Sequence, residues 1–116
     1  MLSELDKAIK EFDTVPDEDL EYCEGELLGF SYFARGEINI VDDLIGHPYI
    51  RIGTQHCNST PRIKANYRSG LATLVKKGFA EKWYGNTFIL TQKGWNRAEE
   101  IVEDTRKTIA GYYNKW

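Results

Sequence analysis

The stretch from Thr60 to Ala98 constrains this chain most, because it reads as a helix, a tight β-hairpin and a second helix with a signal at every junction. Thr60 is a good N-cap and Pro61 suits the first helical position, where a missing N–H costs nothing. Ile63, Tyr67, Leu71, Leu74 and Val75 recur at helical spacing and predict one apolar face. Lys76-Lys77 followed by Gly78 stops that helix near residue 77: cations sit on the negative end, then comes a residue that tolerates a left-handed turn. Phe79 to Tyr84 and Thr87 to Thr91 are β-prone runs joined by Gly85-Asn86, a two-residue hairpin signal. Thr91 then caps the next helix.

The pattern Leu71-x-x-Leu74-x-x-x-Gly78-Phe79, then a hairpin, then Leu90-Thr91-x-Lys93-Gly94 resembles the second half of winged-helix DNA-binding domains of the MarR and PadR type. It covers about a third of the chain closely. The resemblance implies an α+β, mostly helical winged helix-turn-helix with one hairpin wing and flanking N- and C-terminal helices. It implies that the helix over 61–77 is the recognition helix and that 79–91 is the wing. Arg62, Lys64, Asn66 and Arg68 would approach bases and phosphates in the major groove. Lys82, Tyr84, Asn86 and Thr87 would touch phosphate or the minor groove, and Lys76 and Lys93 complete the basic set.

Charge is distributed to match. The net charge is −3, yet residues 1–50 carry −10, residues 51–93 carry +7 and residues 94–116 are neutral. The basic segment contains Arg51, Arg62, Lys64, Arg68, Lys76, Lys77, Lys82 and Lys93 against the single acid Glu81. The acidic half would suppress loose binding to random DNA, or would itself face a protein. At 116 residues, 41% of them hydrophobic, one domain over 1–116 is expected. No apolar run suits a transmembrane helix and no signal peptide is expected, so the chain reads as cytoplasmic. Cys23 and Cys57 lack disulfide-framework or metal-ligand spacing.

Upstream, Leu2, Leu5, Ile9 and Phe12 share a helical face and predict a short helix over about 3–13, within an N-terminal extension of residues 1–16. A longer helix is expected from Asp17 or Glu18 to Ala34, with Leu20, Cys23, Leu27, Phe30 and Ala34 buried and Arg35-Gly36 ending it. Gly25 and Gly29 inside it predict close packing of another element. Ile38 to Ile45 is expected to form the first helix of the helix-turn-helix, with Ile38, Val41, Leu44 and Ile45 inward. The chain departs from the family pattern here. Residues 47–60 separate Gly46 from Pro61, where a compact motif allows a turn of about 3–4 residues. In this insert Tyr49 to Ile52 either add a strand or extend the helix, and Asn58-Ser59-Thr60 resembles the polar turn before a recognition helix.

The last helix is expected to start near Gln92 and reach Asn114. Trp95, Ala98, Val102, Thr105, Ile109, Tyr112 and Trp116 form a heptad-like seam. That seam either packs back on its own domain or pairs two copies through Trp95, Val102, Ile109, Tyr112 and Trp116. His47, His56 and Cys57 share one segment but match no compact metal site, so neither metal nor cofactor is expected. No phosphate loop, paired helical His or nucleophile motif is present, so no enzyme is expected. The reading is a DNA-binding transcriptional regulator, as a homodimer, with double-stranded DNA as its partner. The alternative is a winged-helix effector of phage or plasmid type that grips a host or defence protein and does not act through DNA.

Overall fold

The computed structural model describes residues 17–42 and 47–113. Helix α1 spans Asp17–Tyr32. It buries Cys23, Leu27 and Leu28, while Phe30 and Ala34 are only half-buried. It stops where Arg35 and Gly36 both take positive φ, 59° and 73°. Gly36 is required there for a second reason: a Cβ would lie 2.6 Å from the Trp95 ring.

The next segment overturns an expectation. Glu37–Val41 is strand β1, not the start of a helix, and it buries Ile38 and Ile40 in alternation. Ile38 and Val41 fit a helical period, but Ile38-Asn39-Ile40-Val41 also fits a period of two, and β-branched residues favour the strand. Pairing decides between them: β1 lies antiparallel between two other strands. Leu44 and Ile45 lie outside the described residues. So does the expected helix over 3–13. The insert becomes a second hairpin, β2 (Tyr49–Ile52) and β3 (Gln55–Cys57), turning through Gly53 at φ 58°.

Helix α2 spans Pro61–Lys76, capped as expected, with Thr60 Oγ1 accepting from the Ile63 N–H at 3.2 Å. It ends through Gly78 at φ 82°, where the Phe79 N–H reaches the Leu74 carbonyl at 2.9 Å. Strands β4 (Ala80–Tyr84) and β5 (Thr87–Leu90) follow. Gly85 at φ 53° opens their two-residue turn while Asn86 keeps negative φ, which is the primed geometry with glycine first. Helix α3 spans Gln92–Tyr113.

The five strands form one antiparallel sheet in the order β3-β2-β1-β5-β4. One face carries Ile38, Ile40, Ile50, Ile52, Phe88 and Leu90 against Leu27, Leu28, Leu71 and Leu74 of α1 and α2. Among the described residues no helix covers the other face. The architecture of the described residues is α+β, three helices with a five-stranded antiparallel sheet. Gly25 and Gly29 do not meet a close neighbour, since a Cβ at either finds nothing within 4 Å. Close approach falls on Gly70 of α2, where a Cβ would lie 3.0 Å from Cys23 Cβ. No described helix is long and apolar enough to cross a membrane.

Thr91 ties these layers together. Its hydroxyl donates to the Gly78 carbonyl at 2.6 Å and accepts from the Gly94 N–H at 3.1 Å, capping α3. Its own N–H donates to the Phe79 carbonyl at 3.0 Å. Gly94 is needed because that same carbonyl oxygen would sit 1.9 Å from a Cβ. The Leu-Thr-x-Lys-Gly phrase is therefore a packing device that seats α3 on the base of the hairpin.

Candidate nucleic-acid interface

The strand register sorts the loops to the two ends of the sheet. The β4–β5 turn lies beside the end of β1, since the Ile40 N–H donates to the Asn86 carbonyl at 2.9 Å. Val41 at that end pairs with Tyr49 at the start of β2, and Ile50 pairs with Cys57 at the end of β3. Thr60 and the first turn of α2 follow three residues later. The hairpin tip and the N-terminus of α2 thus share one end of the sheet.

At that end Arg62, Lys82, Tyr84 and Asn86 are exposed, Tyr84 by 79%. Asn66 is half-buried one turn into α2. Thr87 is half-buried and its hydroxyl donates to Asn39 Oδ1 at 2.8 Å. Lys64 and Arg68 are not on the exposed surface: they keep 6% and 9% of their accessibility. One helical turn apart, they lie on the flank of α2 that meets the chain entering β2. The Arg68 guanidinium donates to the Pro48 carbonyl, and Lys64 Nζ lies 6.0 Å from the centre of the Tyr49 ring. Both cations therefore hold the insert against α2 and are not presented outward. Lys76 is exposed at the opposite end of α2. Lys93 is there too, with Nζ donating to the Lys77 carbonyl at 3.0 Å and lying 5.0 Å over Phe79. Lys77 binds both Glu24 carboxylate oxygens at 3.0 Å.

The residue missed by sequence reasoning is Trp83, which is 63% exposed. Lys82 pairs with Phe88 and Tyr84 with Thr87, so Trp83 is the extra residue of a β-bulge. Strict alternation would bury one of two adjacent aromatics, but all of Glu81–Tyr84 is exposed on this edge strand, including Lys82 opposite buried Phe88. Two aromatics directly before a Gly-Asn turn were the available signal.

The seam of α3 is divided. Trp95 packs on its own core, 6.0 Å from the Tyr32 ring centre, and Val102 is buried. Ile109 is 50% exposed, and residues 103–111 are exposed throughout. The side chains of Tyr112 and Trp116 lie outside the described residues. His47 and His56 are exposed, His56 Nδ1 sharing a hydrogen bond with the Tyr49 hydroxyl at 3.3 Å. Burial pushes the Cys57 thiol up to about 11, so it is no thiolate at neutral pH. Among the described residues no group of three His, Cys, Asp or Glu is placed to hold a metal. Comparison of the chain with protein-family models, with curated proteins and with solved structures found no match.

Proposed function

We propose that this protein binds duplex DNA as a transcriptional regulator, with the β4–β5 hairpin as a wing and the first turns of α2 entering the major groove. One observation carries the reading: the exposed Lys82, Tyr84 and Asn86 share one end of the sheet with Arg62 at the capped start of α2. The order β1-β5-β4 behind a helix, closed by a capped helix, also suits a wing. The readout differs from that of a full helix-turn-helix, because β1 and the β2–β3 hairpin stand where the first helix of that motif was expected. Lys64 and Arg68 are withdrawn, leaving Arg62 and Asn66 on α2 for the groove and Lys82 for phosphate. In this reading two copies pair through the projecting half of α3 around Ile109, and sedimentation of the full chain at micromolar concentration should report a dimer.

The test is retention of genomic DNA fragments by the purified chain at about 100 mM salt, where a specific site still holds. Arg62→Ala should weaken the selected site by about 1–3 kcal/mol and relax its sequence preference. Lys82→Ala should weaken all sequences alike. If no fragment is retained, the regulator reading fails. A protein-binding effector then takes its place. Trp83 and Tyr84 favour that second reading, because two large aromatics stand exposed on an edge strand. Co-purification of one protein through Trp83, without DNA, would establish it.

A further inference from the structure

The face of the sheet that no described helix covers carries a row of side chains that no local stretch of sequence contains. His56 of β3 pairs with Arg51 of β2, Arg51 with Asn39 of β1, Asn39 with Thr87 of β5, and Thr87 with Tyr84 of β4. Cross-strand partners point to the same face, so these five stand in one line across all five strands. With neighbouring strands about 4.8 Å apart, the row is about 19 Å long. Every member is polar or aromatic, none is acidic and none is buried.

A second feature lies on the same face. A cavity of about 300 Å³ opens between the α1–β1 turn and the middle of the row. Asn39 and Arg51 of the row line it, together with Phe33, Arg35 and Glu37. Phe33 is 71% exposed, and Arg35 and Arg51 bring two cations to one opening. An exposed aromatic face beside two guanidinium groups suits a base next to its phosphate: the ring stacks, the arginines neutralise. Two carboxylates share this face, since Glu37 and Glu81 both pair with Ile89; they oppose a bare anion, and Glu37 at the opening accepts hydrogen bonds from the N–H groups of a base edge.

We propose that this open sheet face binds a single-stranded nucleic acid segment, one base stacking on Phe33 with its phosphate between Arg35 and Arg51, and the strand continuing along Asn39 and Thr87 to Tyr84. The site is centred away from the duplex interface, on Phe33, Arg35 and Arg51 and not on Arg62 and Lys82, and the two meet only at Thr87 and Tyr84. Tyr84 borders both and is not used as a discriminating variant.

The experiment is fluorescence anisotropy of the full chain with a labelled mixed-sequence 12-nucleotide DNA strand, the same RNA sequence, and the corresponding duplex. Single strands should bind, and Phe33→Ala and Arg51→Ala should each weaken that binding by about tenfold. Both side chains are exposed, and circular dichroism checks that the variants stay folded. Arg62→Ala should leave single-strand binding unchanged, and inorganic phosphate at matched ionic strength should not compete. A preference between the DNA and RNA strands assigns the source and supports the site in either case. The proposal is overturned if neither strand binds at about 100 µM protein, the weak end of non-specific nucleic-acid binding. It is also overturned if strands bind but Phe33→Ala and Arg51→Ala have no effect. Loss of duplex binding through Arg62→Ala alone, with single strands still held, would separate this face from the duplex reading. Duplex failure with single strands retained would sink that reading and leave this one standing.

Discussion

Replacing Gly94 with alanine probes the close contact between α3 and the hairpin base. The new Cβ would lie 1.9 Å from the Phe79 carbonyl oxygen and 2.8 Å from its carbon. Neither atom is the end of a flexible side chain, so backbone must move by more than 1 Å. The carbonyl cannot recede freely, because it accepts the Thr91 N–H at 3.0 Å and Thr91 also caps α3. Losing that hydrogen bond costs about 1 kcal/mol. Shifting the first turn of α3, which carries Trp95 and buried Ala98, adds about 1–3 kcal/mol of mispacking. Alanine returns about 1 kcal/mol through its better helix propensity. The net loss is about 2 kcal/mol, or roughly 8 °C in melting temperature for a domain of this size. Thermal and urea denaturation of the full chain, followed by circular dichroism, measure it. Gly29→Ala is the control: it lies inside α1, meets nothing within 4 Å and should gain up to about 1 kcal/mol. A Gly94→Ala protein as stable as the parent would refute the reasoning, as would equal losses at both positions.

Three further outcomes are expected. Cys57 has a folded pKa of about 11 against 9.0 when unfolded, so between those values the unfolded chain binds fewer protons and stability falls as pH rises. Burial raises the Tyr67 hydroxyl too and extends the decline; Cys57→Ala should flatten the part between pH 9 and 11 in urea titrations. Arg68→Ala should destabilise by about 1.5–3 kcal/mol, because the Pro48 carbonyl loses a charged donor, and refolded protein should keep its DNA preference. Gly85→Val forces a β-branched residue to φ 53° and should cost about 1–2 kcal/mol, seen as faster amide exchange in β4 and β5 than in α2.

Local chemistry made much of the second half of this chain legible. The Thr60-Pro61 start of α2, its Gly78 stop, the Gly85-Asn86 turn and the Thr91 cap each depend on one backbone angle or a hydrogen bond spanning a few residues. Such signals act at short range, so neighbours in sequence are enough to state them. Residues 38–41 were not legible in this way, because their apolar pattern satisfies both periods and pairing with β2, and with β5 far along the chain, chooses the strand. The same distance hid the fate of Lys64 and Arg68. A basic residue on a predicted exposed helix is withdrawn only when another segment, here Pro48 and Tyr49, packs over it. Trp83 faces solvent because β4 is the edge strand and is exposed from Glu81 to Tyr84, whichever way its side chains alternate. The row from His56 to Tyr84 depends on the registers of four strand pairings at once. A one-residue slip in any of them would turn part of the row to the opposite face, which is why only the tertiary structure decides it.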